Sequence, residues 1–173
     1  GYVVEGVAVQ PVAFSVQPMA DGDLNEEILE RYRHLAGALS LIRSKARGSI
    51  TLGPGGRAVI DYPTIAEDTD RLRHFYQRMT ELYLKAGAKR VLLGHGTERW
   101  VTEPPADDLP MVAGGFYQYA AHLFGGACRG TTLDGDGRVK GHKNLWVLDA
   151  SAFPEALGVN PQITIASLAR LGA

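Results

Sequence analysis

Residues Asn144 to Ala173, reading NLWVLDASAFPEALGVNPQITIASLARLGA, set the tightest limits on how the chain can fold. Leu145 to Leu148 is a short apolar run of the kind that forms a strand covered on both faces, and Asp149 sets a carboxylate just beyond its carboxyl end. In open α/β sheets ligands collect at that edge. After the loop Ser151 to Val159, Pro161 holds Asn160 extended and is itself preset for the first position of a helix, so Asn160 is the predicted N-cap. The helix over Gln162 to Leu171 carries Ile163, Ile165, Ala166, Leu168 and Ala169, with little polar surface before Arg170. This predicts a helix packed inside and stopped at Gly172.

Upstream, the valine-rich stretch Gly1 to Met19 contains two prolines and predicts one or two strands beside a cavity or at a sheet edge. Asp21 or Asp23 can cap a first helix with Glu26 and Glu27 in its first turn. Ile28, Leu29, Tyr32, Leu35, Ala36, Leu39 and Ile42 form its apolar stripe, and Arg43, Lys45 and Arg47 suit its end. Ser49 to Leu52, the GPGG turn and Ala58 to Tyr62 read as a β-hairpin. Thr64 and Glu67 make a capping box for a helix that buries Leu72, Phe75, Met79, Leu82, Tyr83 and Ala86 and ends at Gly87. Val91 to Leu93 is a further short strand, and the polar linker Glu103 to Pro110 marks a change of layer and the nearby domain boundary. Ala113 to Ala121 then delivers His122 into a glycine-rich bend, and Leu133 to Gly141 is a polar turn before the terminal strand.

Composition removes several function classes. With 173 residues, 45% hydrophobic and 21% charged, the chain can bury a sizeable core, and a net charge of -1 argues against a nucleic-acid partner. Its single cysteine, Cys128, excludes an internal disulfide framework and a Cys-rich zinc site. It fits a reducing compartment, and a cytoplasmic location is the expectation. No apolar run is long enough for a membrane span, and the first residues lack the basic lead and continuous core of a signal peptide. A start at Gly1 rather than methionine reads as a processed, excised or tagged product. Asp134 and Asp136 in DGDG are spaced as in a calcium loop, but position twelve would be Leu145 where a glutamate is required, so a solvated turn is expected. His34, His74, His95 and His142 show no ligand-spaced pairing, so no metal is predicted.

His122 stands between Ala120, Ala121 and Leu123, Phe124, and Gly125 and Gly126 allow a flat ligand to approach the backbone. An imidazole there can accept a hydroxyl proton near neutral pH, although a hydrogen-bonded core histidine explains the same residues. Asn160 is likewise explained locally by capping, and Asp149 by a strand-end carboxylate that bonds loop amides. The absence of a hydroxyl or thiol nucleophile motif argues against a hydrolase, and Cys128 reads as a small packed residue.

The segment NLWVLDASAFP followed by NPQITI and a helix resembles the C-terminal signature of the glucose-methanol-choline (GMC) family of FAD-dependent oxidoreductases. HLFGGACRG resembles that family's histidine motif H-x-x-G-T-C-R-M-G, with both terminal glycines in register and Cys128 and Arg129 one place late. GRAVIDYPTIAEDTDRLRHFYQRMTELYLKAGAKRVL resembles its substrate domain, and ERYRHLAGALSLIRSKARGSI is similar to the branch containing long-chain alcohol oxidases.

The resemblance implies an α/β (α+β) chain that corresponds to the C-terminal part of a longer enzyme. A sheet-plus-helices substrate-binding domain would occupy residues 1–114. Residues 115–173 would supply the last strand and helix of the FAD-binding domain, and the N-terminal Rossmann half would be absent. It implies that His122 is the base taking the alcohol proton as hydride passes to flavin, and that Asn160 faces the substrate oxygen and the flavin edge. Asp149 and Ala150 would lie near the ribityl and pyrophosphate region, and Asn160, Pro161 and Gln162 near the ring. No G-x-G-x-x-G fingerprint follows a strand, since GDGRVKG carries Lys140 at the third glycine's place. The FAD site is therefore expected to be incomplete without a second chain or missing half carrying that fingerprint. The alternative is a non-catalytic interaction subunit or stand-alone derivative that keeps the fold without FAD and docks through its exposed apolar surface.

Overall fold

The computed structural model of the protein describes residues 1–8, 22–94, 100–111, 116 and 119–172. Three α-helices, α1 (Gly22–Glu30), α2 (Ala66–Lys85) and α3 (Gln162–Gly172), accompany strands β1 (Tyr2–Val7), β2 (Gly37–Ile42), β3 (Ser49–Leu52), β4 (Ala58–Asp61), β5 (Val91–Leu92) and β6 (Trp100–Val101). Among the described residues these strands form three two-stranded sheets, β1 with β2, β3 with β4 and β5 with β6. This is an α/β mixture of small sheets and helices. The expected strand at Gly1 to Met19 is β1, and the rest of that stretch lies outside the described residues, as does the proposed cap Asp21.

The chain divides into two compact units. The first comprises Tyr2–Leu41 and Thr64–Gln118. Its core is Phe75, Tyr76, Leu93 and Leu109, with Tyr2, Leu72, Met79, Val91, Val101 and Met111 packed around them. The Tyr2 ring meets Phe75 edge-on at 5.7 Å, and its hydroxyl shares a 2.8 Å hydrogen bond with His74 Nδ1. Tyr76 donates to the Gly94 carbonyl at 3.1 Å, and burial pushes its phenol up to about 12. A phenol that is buried and bonded in this way stays neutral and fixes its ring.

Helix α2 departs from its predicted frame at the start. It begins at Ala66 with Ile65 as the flanking residue, and no side chain caps it, so the Thr64/Glu67 box does not form. Glu67 and Asp68 instead pair with Arg71 along the first turns. The end is as expected. Gly87, at φ +99°, donates to Leu84 O while Ala88 donates to Tyr83 O, the two bonds of a Schellman motif. The buried face is centred on Phe75, Tyr76 and Thr80, whereas Leu82, expected inside, is 57% exposed.

The predicted first helix is also shorter than its apolar stripe. α1 stops at Glu30, a single 3-10 turn covers Tyr32–His34, and Gly37–Ile42 is strand β2. Glycine inside a helix costs about 1 kcal/mol relative to alanine. Gly37 therefore disfavours a return to helix after the 3-10 turn, and the apolar run behind it pairs with β1 instead. What holds α1 is Ile28, fully buried, together with Glu27. The Glu27 carboxylate accepts from Trp100 Nε1 at 2.9 Å and pairs with Arg90 and Arg31, while the Arg90 guanidinium lies 4.3 Å from the Trp100 ring centre.

The second unit contains Ile42–Pro63 and Tyr119–Ala173. The predicted hairpin is β3–β4, antiparallel with Ile50 opposite Ile60 and Thr51 opposite Val59. Its turn has Gly55 and Gly56 at φ +71° and +73°, a conformation that side chains disfavour. Every residue of both strands is exposed, including Leu52 at 84% and Ile60 at 69%. Helix α3, predicted to pack inside, has no buried residue, and Ile163 is 83% exposed. Its other side, Ile165, Leu168, Ala169 and Gly172, is half-buried. The apolar pattern identifies a face that seeks cover, and this chain supplies cover for only one side of it.

Trp100 and Arg90 bonding to the Glu27 carboxylate, with the charges of Arg90 and Arg31, holds that carboxyl below the usual carboxylate range. Its contribution to stability is therefore present above the ordinary value of 4.5 and is lost as pH falls through the lower folded value. Glu27→Gln is expected to be less stable than the parent at neutral pH and to lose less on acidification below about 4.5, as measured by urea unfolding across a pH series.

Candidate functional site

All six candidate site residues, His122, Asp149, Ala150, Asn160, Pro161 and Gln162, fall in the second unit. Leu145 to Leu148 is not a strand covered on both faces. It forms a single antiparallel bridge, Trp146 opposite Arg138, flanked by Val139 N–H to Leu145 O and Val147 N–H to Gly137 O, each 2.9 Å. The run pairs only with the turn before it, so Leu145 and Trp146 stay 48% and 43% exposed. Arg138 covers the Trp146 ring at 5.3 Å.

That turn is the DGDG segment. Asp134 Oδ1 accepts from the backbone N–H groups of Asp136 at 3.0 Å and Arg138 at 2.9 Å, so its carboxylate folds the turn. Among the described residues no group of three or more His, Cys, Asp or Glu is placed to hold a metal. Gly137 closes the turn at φ +82°, where an added Cβ would lie 2.6 Å from Leu148 Cδ2 and 3.3 Å from Val147 O. Leu148 thus packs against the turn on one side and against Gly172 of α3 on the other. Leu133 is the fully buried centre of this region.

Beyond Leu148 the chain turns sharply. Asp149 caps a single 3-10 turn, Ala150–Ala152, its Oδ1 accepting from Ser151 N at 2.8 Å and Ser151 Oγ at 2.6 Å. This is the loop-amide bonding that a strand-end carboxylate favours. Ala150 is the first residue of the turn and Ala152 is buried beneath it.

The bend that carries His122 is bound to this same turn. Ala127 N–H donates to Ser151 O and Arg129 N–H to Ala152 O, both at 3.0 Å. The Cys128 thiol donates to Gly125 O at 3.2 Å, and the Phe124 and Phe153 rings meet edge-on at 6.1 Å. Gly125 takes φ +90°, and a Cβ on Gly126 would touch Ser151 Cβ at 3.5 Å. His122 is half-buried between exposed Ala121 and exposed Leu123, at the edge of this packed pair of loops.

Asn160, Pro161 and Gln162 are placed separately, by α3. Ile165 N–H donates to Pro161 O at 2.8 Å as the first bond of the helix, so Pro161 occupies the cap position and Asn160 stands one residue outside it. Pro161 is fully buried, whereas Asn160 and Gln162 are exposed. The N–H groups of residues 162 to 164 have no acceptor within the helix, which gives this end a partial positive charge. The structure therefore joins His122's loop by backbone bonds to Ser151 and Ala152 of the turn that Asp149 caps, and the loop Phe153 to Val159 leads on to the head of α3. An ion pair onto that loop from outside it, Arg43 to Glu155 at 3.1 Å, has no counterpart in any sequence pattern.

A bend ending in a histidine, packed on a strand-end turn that leads to an Asn-Pro helix, belongs to a class of protein recognisable by comparison. The model of the GMC oxidoreductase family, C-terminal region, matches residues 44–169, well over half the chain, and the chain belongs to that family. An uncharacterized GMC-type oxidoreductase of Sinorhizobium fredii is 28% identical over 176 residues, covering 96% of this chain and 35% of that protein. A long-chain-alcohol oxidase of Arabidopsis thaliana is 27% identical over 188 residues, covering 96% of this chain and 25% of the relative. The 6'''-hydroxyparomomycin C oxidase of Streptomyces lividus is 33% identical over 113 residues, 62% of this chain and 17% of that enzyme. The chain thus spans about a third of the first relative and a quarter of the second. No solved structure matches it.

Because Gly137 is required both by its backbone angle and by the proximity of Leu148, Gly137→Ala tests how far the turn supports the Asp149 cap. The strained φ and the crowding together are expected to cost about 2–4 kcal/mol in denaturant unfolding. A loss under 0.5 kcal/mol, the ordinary surface range, would mean that the turn does not bear on the packing of Leu148.

Proposed function

We propose that this chain is the catalytic, substrate-binding portion of a FAD-dependent alcohol oxidoreductase. The observation that carries the reading is the backbone pairing of the His122 bend, through Ala127 and Arg129, onto Ser151 and Ala152 of the turn that Asp149 caps, within a chain that belongs to the GMC family. In this reading residues 1–114 are the substrate-binding part and residues 115–173 complete the FAD-binding domain. The site fits one side of a flat, partly anionic ligand. Exposed Asn160 and Gln162 and the first-turn N–H groups of α3, which have no acceptor within the helix, are donors, and glycines stand on the His122 bend. It does not offer a phosphate-binding glycine loop ahead of a helix, so the dinucleotide would be held by a second polypeptide or further segment carrying G-x-G-x-x-G.

Bound FAD supplies a two-electron acceptor for the hydride that leaves the alcohol carbon. The remaining tasks belong to this chain. His122 takes the hydroxyl proton as the carbonyl forms, so hydride and proton leave the same CH–OH group and the charge on the oxygen never accumulates. The Asn160 amide bonds the substrate oxygen and orients it, and the head of α3 favours negative charge developing nearby. Asn160, Pro161 and Gln162 would lie along the ring of the cofactor, and Asp149 and Ala150 along its ribityl and pyrophosphate part. The long-chain-alcohol oxidase relatives favour a primary alcohol with a hydrophobic body as substrate.

The exposed hairpin residues Ile50, Leu52 and Ile60, together with Ile163 on α3, offer apolar surface for the companion polypeptide. The same exposure favours the second reading, a non-catalytic interaction subunit, which would use that surface without any need for His122. His122→Ala separates the two. In the flavin-containing assembly, anaerobic stopped-flow with a primary alcohol should show flavin reduction slowed about 100- to 10,000-fold with the flavin absorption retained. An unchanged reduction rate, or no reduction in the parent assembly, contradicts the catalytic reading.

A further inference from the structure

The loop between Phe153 and Asn160 is fixed at both ends. Phe153 packs on Phe124, and Pro161 is fully buried. Its middle is touched by a side chain from a distant part of the sequence, Arg43. The Arg43 guanidinium pairs with Glu155 at 3.1 Å. Its aliphatic stem lies against Gly158, where an added Cβ would stand 3.2, 3.7 and 3.6 Å from Arg43 Cβ, Cγ and Cδ. Gly158 also takes φ +75°, so a side chain there is disfavoured by backbone and neighbour alike.

Arg43 is itself secured. The next residue, Ser44, accepts hydrogen bonds on Oγ from Ala46 N–H at 3.0 Å and from the Tyr62 hydroxyl at 2.9 Å, which ties this segment to the end of β4. A long side chain rooted in a braced segment touches the loop at two positions, 155 and 158, just before Asn160.

We infer that Arg43 is a positioning residue for the reaction, clamping the Phe153–Val159 loop so that Asn160 is presented in one place at the head of α3. The inference rests on the reading of Asn160 as the group that bonds the substrate oxygen. Arg43 touches no reacting atom in this account and acts through Glu155 and Gly158. Both charged side chains are just over half exposed, so the ion pair by itself tightens the loop by a factor of only about 1.5 to 5. The stem packed on Gly158 adds a steric contact that salt does not screen.

Amide hydrogen exchange on the full chain reads the clamp without any cofactor. Arg43→Glu should speed exchange at residues 156–160 by about two- to five-fold, with α2 unchanged. The charge-swapped pair Arg43→Glu with Glu155→Arg should recover most of the protection, and Gly158→Ala should loosen the loop more than Arg43→Glu. In the flavin-containing assembly Arg43→Glu should lower kcat by about two- to five-fold with little change in KM, and the swapped pair should restore it. Unchanged exchange in Arg43→Glu, or a swapped pair as loose as the single variant, overturns the clamp. A loosened loop with unchanged kcat overturns the positioning role. A parent assembly that reduces no flavin overturns the positioning role together with the enzymatic reading, and the exchange data then still decide whether Arg43 holds the loop.

Discussion

Two backbone hydrogen bonds, Ala127 N–H to Ser151 O and Arg129 N–H to Ala152 O, fasten the histidine-bearing bend to the turn beyond Leu148. Each bond contributes only about 0.5–1.5 kcal/mol, yet they fix the register between two segments that carry different chemistry. Around them every local device serves the same alignment. Asp149 caps its own turn, Cys128 bonds back to Gly125, and the Phe124 and Phe153 rings close the side. Leu148, wedged between Gly137 and Gly172, sets where the turn begins.

The two units differ in how they satisfy their apolar residues. The first has a small aromatic core around Phe75 and Tyr76, closed by hydrogen bonds from Tyr2 and Tyr76 and by the Glu27, Arg90 and Trp100 cluster. The second is held by turns, with Leu133, Ala152 and Pro161 as its buried points, and it leaves β3, β4 and one face of α3 open. A two-stranded hairpin is marginal alone in water, and this one gathers Ile50, Leu52, Ala58 and Ile60 on one face, the pattern of a sheet with one covered side. Among the described residues no helix is long and apolar enough to cross a membrane.

What was legible in the sequence was local chemistry. The GPGG hairpin, the Gly87 helix end and the DGDG turn follow from residues a few positions apart, whereas the Asn-Pro helix start is displaced by one residue, with Pro161 rather than Asn160 at the cap. The misread elements depend on distant partners. Ala38 to Ile42 continues a helical stripe by spacing, but pairing with β1 makes it a strand. Leu145 to Leu148 has the composition of a central strand, yet among the described residues its backbone pairs with the turn at Arg138 and with no second strand. The N-terminus of α2 shows that a capping box is only permissive, because the chain enters that helix through Ile65. For the proposed site, the family motifs marked His122, Asp149 and Asn160, whereas Arg43 reads in the sequence only as a charge at a helix end, since an ion pair across the chain leaves no periodic trace.

The most direct measurement is the visible absorption spectrum of the natively purified protein after addition of FAD, with intact mass analysis of every polypeptide in the sample. The account predicts flavin absorption together with a companion polypeptide or segment carrying G-x-G-x-x-G, because in the proposed reading this chain would supply only one side of the cofactor's site. A folded, colourless single chain that takes up no FAD, and gains none when such a companion is supplied, would contradict it.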